Sequence, residues 1–259
     1  MTLDFQDHFS DVAVDYARYR PTYPDALFDH LASLCRDRDL VWDCGAGSGQ
    51  ASVALASRFR HVLASDMSHS QISRSPRVDN VSYHLARAQV AAISSGVVDL
   101  VTVAQALHWF PHREFFAEVR RVLKPEGIFG AWCYTLMTVD LRVDPIIHQF
   151  YYDIVGPYWP LRRGLVEGAY RSLEFPLVKM DAPEFSMEVE WSLDELLGYL
   201  GTWSAVRNYR NTQDADPREL ISAQLADAWQ PAGETKKIRW PLHVLLGREM
   251  LMRTGRDSS

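Results

Sequence analysis

Long apolar runs are missing from this 259-residue chain. No stretch approaches the about 18 uninterrupted apolar residues that a membrane-crossing helix requires, so no membrane association is expected. Cysteine is scarce: Cys35, Cys44 and Cys133 are widely spaced and odd in number. That set fits a reducing cytoplasm better than a disulfide framework. No Cys-x-x-Cys pair occurs, and no metal site is expected. The opening residues Met1–Phe5 have neither the basic stretch nor the apolar core of a secretion signal, which again points to the cytoplasm. A basic excess is absent too. The formal net charge of -6 argues against a nucleic-acid partner held mainly through phosphates. Internal repeats, low-complexity tracts and linkers are not found, so residues 1–259 read as one domain.

What is present is ordinary for a globular chain, with 47% hydrophobic and 23% charged residues. Pro21 and Pro24 forbid a long helix across residues 19–24, and Asp25 then reads as the N-cap of a helix with Leu27, Leu31 and Leu34 on one face. Short apolar runs at Leu40–Cys44, His61–Ser65, Val81–Leu85, Val97–Ala104 and Ile128–Tyr134 predict strands. Helices are predicted between several of them. One spans Ala51–Phe59, and another carries Phe115, Phe116, Val119, Val122 and Leu123 on a single face until Lys124-Pro125-Glu126-Gly127 stops it. Strands alternating with helices imply a mostly parallel sheet with helices on both faces. After residue 135 the alternation fails. Residues 136–182 are rich in aromatics and arginine and read as an inserted, partly helical cap, and residues 1–30 as an N-terminal lid. A strand at Glu184–Trp191, a helix beginning at Ser192 or Asp194, a helix at Pro217–Trp229 and a strand at Ile238–Leu246 follow. Pro241 makes that last strand an edge or a bulged one.

The chemistry concentrates after the first strand, in Asp43-Cys44-Gly45-Ala46-Gly47-Ser48-Gly49. Glycines between a strand and a helix let the backbone turn tightly and approach a ligand. A dinucleotide fingerprint, G-x-G-x-x-G, would need its third glycine at position 50, which is Gln50. Asp43 would also repel a pyrophosphate. It suits the cationic sulfonium and amino group of S-adenosyl-L-methionine, so the charge pattern favours that ligand over a dinucleotide. Asp66, closing the second strand, can accept hydrogen bonds from both hydroxyls of a ribose and serves either ligand class. Tyr16, Tyr19 and Arg20 can close over the cofactor from the N-terminal segment, and Arg20 can pair with a carboxylate. His108, just past the fourth strand, is the candidate base or substrate contact, with orientation of Trp109 as the plainer alternative. Arg162, Arg163 and Arg171 are candidate carboxylate contacts, against surface solvation.

The loop Asp43–Gly49, Asp66 in S-D-M-S, Val98–Phe110 and Arg121–Gly127 resemble the class I S-adenosylmethionine-dependent methyltransferases. Tyr16–Pro24, Q-A-L-H-W-F and Gly201–Val206 resemble, more narrowly, the methyltransferase type 11 group that includes trans-aconitate methyltransferases and their small-molecule relatives. The resemblance implies an α/β Rossmann-like fold with a seven-stranded sheet whose last strand is antiparallel. It implies that Asp43, Gly45, Ala46 and Gly47 line the methionine side of the cofactor, and Asp66 and Met67 the ribose and adenine. Gln71 joins the cofactor-binding set, Ala88 and Gln89 flank the adenine, and Gln105 lies beneath the cofactor. Relatives usually carry an acid where this chain has Gln89, and Pro76 predicts a truncated third helix. The expectation is a methyltransferase acting on a small molecule at oxygen, with no nucleic-acid partner. An NAD-dependent oxidoreductase and a non-catalytic nucleoside binder are the alternatives.

Overall fold

Each β-branched or apolar run before residue 105 ends in a polar or glycine-rich turn, and each becomes a strand of one sheet. A computed structural model describes Tyr19 and residues 21–249. Tyr16, Arg20, most of the expected lid and the tail after Arg253 lie outside the described residues. In chain order come α1 (Asp25–Leu34), β1 (Leu40–Cys44), α2 (Gln50–Ala56), β2 (His61–Asp66), α3 (His69–Ile72), β3 (Val81–Leu85) and β4 (Val98–Ala104). A 3-10 turn at Leu107–Trp109, α4 (His112–Val122) and β5 (Leu123–Tyr134) follow. Beyond them lie α5 (Asp144–Gln149), α6 (Arg163–Glu167), β6 (Val178–Met180), β7 (Phe185–Trp191), α7 (Leu193–Gly201), α8 (Ser204–Gln213), α9 (Glu219–Ala228) and β8 (Lys236–Arg248).

The sheet runs β3-β2-β1-β4-β5-β8-β6, with β7 also paired to β8. Strands β1 to β5 are mutually parallel, and β8 is antiparallel to β5 and β6. The sheet therefore has eight strands rather than the expected seven. Two features of the sequence hid this. β6 has three residues, too few to show a period, and β8 has 13, enough to serve several partners. Pro241 does not make β8 an edge strand. The β5 ladder begins one residue later, at Leu242, so the N–H that proline lacks is not needed there, and Leu246–Arg248 is paired on both sides.

Other boundaries moved for local reasons. α1 begins at Asp25 rather than being capped by it, because the Asp25 carboxylate is drawn to Arg58 (2.9 Å) while Pro24 occupies the cap. α4 ends at Val122, because Leu123 is extended and already pairs with Val98. The Lys124–Gly127 stretch then forms an irregularity inside β5, with Glu126 at φ +64°, rather than a stop ahead of it. α8 escaped the sequence reading because Ala205 and Val206 are its buried residues and the remainder is polar, leaving no apolar stripe. Pro76 does accompany a short third helix, the four residues of α3.

The chain divides into two compact units. One comprises Tyr23–Tyr134, Leu165–Phe185 and the chain from Leu242, and holds the parallel strands. α1 covers one of its sheet faces. Leu27, Phe28, Leu31 and Ala32 are buried, Phe28 and Tyr23 meet Trp132 edge-on at 5.8 and 5.5 Å, and a Cβ on Gly130 would stand 2.8 Å from Leu31. α4 covers the other face, with Phe115 and Phe116 against Phe129 at 6.2 and 5.5 Å. Burial on both faces explains why β1 and β4 are almost continuously apolar. The second unit comprises Thr135–Gly164 and Ser186–Pro241, together with Tyr19, Pro21 and Thr22. Its core is aromatic: Trp240 Nε1 donates to Tyr199 Oη (3.1 Å), and Trp191 packs on both rings. Ser192 and Glu195 form a reciprocal capping box that starts α7. Among the described residues no helix is long and apolar enough to cross a membrane.

Asp99, the one charge in the β4 run, is buried for a structural reason. Its Oδ2 accepts from Asp39 N and Leu40 N (both 2.9 Å), and its Oδ1 meets Lys124 Nζ at 2.6 Å. The carboxylate thus pins the entry of β1 to β4 and β5. Asp99→Ala leaves two backbone donors without their acceptor and takes from Lys124 its shortest ion pair, with Asp37 and Asp39 remaining at 3.7 Å; it is expected to lose about 3 kcal/mol of stability in chemical denaturation, with Asp99→Asn losing less. A loss indistinguishable from zero would contradict this account.

Candidate functional site

The strand order reverses between β1 and β4, and open parallel sheets leave a crevice at such a switch, beyond the carboxyl ends of the strands. Asp43 lies at this point, fully buried and in register with Ala64 on β2 and Thr102 on β4. Its Oδ1 accepts from Thr102 Oγ1 (2.9 Å) and its Oδ2 from Ser52 Oγ on α2 (2.6 Å). Burial pushes its pKa up to about 6, and nearby Asp66 adds to the rise. The two hydroxyl donors hold it from climbing further.

The loop after β1 is bound to the end of β2. Gly45 N and Ala46 N both donate to the Ser65 carbonyl (2.8 and 3.0 Å), and Gly47 N donates to Asp66 Oδ2 (2.9 Å). Asp66 Oδ1 accepts from Ser68 N (2.8 Å). Gly45 (φ +71°) and Gly47 (φ +57°) both take the left-handed backbone that glycine tolerates best, but they differ in what surrounds them. A Cβ on Gly45 would stand 2.7 Å from Ala106 Cβ and 2.9 Å from Phe110 Cζ, so this glycine is demanded by the loop after β4. A Cβ on Gly47 would meet nothing within 4 Å, so its open side is where a ligand can approach the backbone.

The remaining expected residues fall around these two. Met67 is 41% exposed at the end of β2, and Gln71 is buried on α3, its N–H donating to Ser68 Oγ (3.4 Å). Ala88, buried, and Gln89, half-buried, lie in the loop after β3. Gln105 has φ +54°; its N–H donates to the Trp132 carbonyl (2.8 Å), and its Oε1 accepts from Tyr134 N (3.0 Å), stitching the ends of β4 and β5. His108 is buried in the 3-10 turn, its ring 4.8 Å from that of Trp109 and its Nδ1 3.4 Å from Tyr170 Oη. Asp43, Gly45–Gly47, Asp66, Met67, Gln71, Ala88, Gln89, Gln105 and His108 are thus all at or beyond the carboxyl ends of β1 to β4. Tyr19 belongs to the second unit, where its ring lies against Gly198 of α7.

His108 and His112 stand four apart, the spacing of a helical ligand pair, yet they do not share a helix. α4 begins at His112, whose Nε2–H donates to the Leu107 carbonyl (3.0 Å). Among the described residues no group of three or more histidine, cysteine or acidic side chains is placed to hold a metal. Arg163 stacks on Trp159 (4.5 Å) and donates to Tyr151 Oη (3.0 Å) within an aromatic cluster, while exposed Arg171 donates to the Gly168 carbonyl (3.2 Å). Sequence reasoning missed Ser52, Thr102 and Tyr170. A signal existed for the first two, since each is a hydroxyl on an otherwise apolar buried face. For Tyr170 there was none, because its contact to His108 spans 62 positions.

Comparison with known proteins agrees with this geometry. The family described as methyltransferase domain matches residues 42–131, the segment from β1 into β5. A Dictyostelium discoideum protein provisionally named a methyltransferase is 33% identical over 252 residues, covering 95% of this chain and 96% of that one. The solved structure of a protein from Anaeromyxobacter dehalogenans, provisionally named a type II methyltransferase, is 40% identical with a TM-score of 0.85, covering 90% of this chain and 99% of that one. A Bacillus halodurans protein with a similar provisional name shares the fold at 16% identity and TM-score 0.50, over 88% of this chain and 99% of that one. The chain belongs to the class I S-adenosylmethionine-dependent methyltransferases, and S-adenosylmethionine is its cofactor.

Proposed function

We propose that this enzyme methylates a small molecule at oxygen, a hydroxyl or a carboxylate, with His108 as base where the acceptor carries a proton. The observation that carries the reading is an imidazole buried beside the switch point, at the carboxyl end of β4, where an acceptor would meet the donor. What the cofactor supplies when bound is an activated methyl group, whose bond to sulfur breaks with the electron pair left on sulfur. The protein's work is therefore alignment and exclusion of water, with a proton to remove from a hydroxyl acceptor and none from a carboxylate. His108 Nε2 takes that proton.

The residues present fit the cofactor. Gly45, Ala46 and Gly47 offer backbone to its methionine part, with Gly47 the point of close approach. Each Asp66 oxygen accepts one backbone N–H, and a carboxylate oxygen can accept a second bond, here from a ribose hydroxyl. Met67, Gln71, Ala88 and Gln89 border the adenine, and Gln105 holds the floor. Asp43 acts through its field, since its oxygens already accept from Ser52 and Thr102, and a buried negative charge favours a cationic ligand over a pyrophosphate. The net charge of -6 disfavours an acceptor held mainly through phosphates.

Three outcomes are expected. Gly47→Ala strains the backbone by about 1–2 kcal/mol and fills the open side. It should fold yet bind S-adenosylhomocysteine at least about tenfold more weakly by calorimetry, and unchanged affinity would remove Gly47 from the site. Because the Asp43 pKa is raised from 3.8 to about 6, the folded state holds this proton more tightly than the unfolded chain. Its stabilising effect is complete below about pH 4 and lost as pH rises through 6. Wild-type stability should accordingly fall relative to Asp43→Asn by on the order of 3 kcal/mol between pH 4 and 7, read by denaturant unfolding at both. Finally, labelled S-adenosylmethionine should methylate members of a panel of hydroxy compounds and carboxylic acids. With hydroxyl acceptors His108→Gln should lose about 100-fold or more in turnover while keeping its affinity for S-adenosylhomocysteine. Full turnover by that variant at every pH would refute the base.

A further inference from the structure

Tyr170 occupies a strained corner. Past α6, Ala169 N donates to the Val166 carbonyl and Tyr170 N to that of Leu165 (both 2.9 Å), and the two residues take left-handed backbone at φ +52° and +57°. Left-handed residues other than glycine are uncommon, aromatic ones more so, and a turn serving connection alone would be met by glycine or asparagine. Such strain persists where the surroundings over-determine it, and it gathers at functional sites. Here it sets a direction. The Tyr170 side chain, 2% exposed, enters the core that contains Leu107, Cys133 and Val166, and its hydroxyl reaches His108 Nδ1.

We propose that Tyr170 is the positioning residue of His108, accepting a hydrogen bond from Nδ1–H and so holding the tautomer whose lone pair is on Nε2. This rests on His108 being the base. The opposite arrangement, with the tyrosine donating to Nδ1, would place the ring hydrogen on Nε2 and engage the remaining lone pair, on Nδ1, with the tyrosine O–H instead of the acceptor. With Nδ1–H donating, proton uptake at Nε2 needs no ring rotation and keeps the bond intact. The separation of 3.4 Å is long for such a bond, as catalytic hydrogen bonds commonly are before substrate tightens them. The other titratable groups on this side of the sheet have different duties. His112 is bound to the Leu107 carbonyl, and His243, opposite Cys133 on β8, is shifted toward its neutral form by burial and by the Arg171 cation.

The test is long-range proton–nitrogen NMR of the full 15N-labelled chain, with the His108 signals identified by their loss in His108→Gln. Wild type should show His108 protonated at Nδ1 and bare at Nε2 above its pKa. Tyr170→Phe should reverse the ratio toward the Nε2–H form that a free imidazole side chain prefers, with affinity for S-adenosylhomocysteine unchanged. A wild-type His108 protonated at Nε2 would overturn the proposal without any variant, and so would a tautomer ratio that Tyr170→Phe leaves in place. Failure of the base itself is read separately, as retained turnover in His108→Gln.

Discussion

Much of this molecule hangs on one carboxylate that never meets water. Asp43 ends β1 at the place where the strand order reverses, and its two oxygens draw Thr102 of β4 and Ser52 of α2 to the same point. A charge so placed is unfavourable in isolation, which is why both oxygens must be given donors and why the residue holds its proton more tightly than an exposed acid. The arrangement sets the angle at which the chain leaves the sheet. Gly45 can then pass within contact of Ala106, and the loop's N–H groups fall onto Ser65 and Asp66. The electrostatics that suit a cationic cofactor and the geometry that exposes the Gly47 backbone have the same origin.

Asp66 shows the same economy. One carboxylate braces the glycine loop through Gly47 N and opens α3 through Ser68 N, while its position suits it to a ribose. The residue that holds the loop in shape and the residue proposed to hold the ligand are one, so the site is organised by its own framework before anything binds.

How much of this was legible in the sequence depended on whether the information was local. The strands β1 and β4 announce themselves because burial on both faces demands near-continuous apolar runs, and the glycine loop because turns of positive φ demand glycine. Asp43 and Asp66 stood out as acids beside those runs. Strand β6, the polar helix α8 and the partners of Asp43 did not. β6 is held by pairing with a distant strand rather than by its own pattern, α8 buries two small side chains, and Ser52 and Thr102 acquire meaning when α2, β1 and β4 converge. Tyr170 is the extreme case, since its approach to His108 requires a backbone strain that no residue type advertises.

The antiparallel strand beside β5 carries a consequence for how the chain reaches its fold. β5 is complete at Tyr134, yet the residues that close its free edge, Leu242–Arg248, emerge far downstream, after the chain has crossed between the two units and back. Until they arrive, a long apolar strand has an unpaired edge, a surface that invites pairing with other chains. Contacts of such wide sequence separation also form slowly. During synthesis, the helices between Asp144 and Ala228 are therefore made while the central sheet still lacks its last partner, and the hazardous interval for aggregation falls there rather than at the glycine loop.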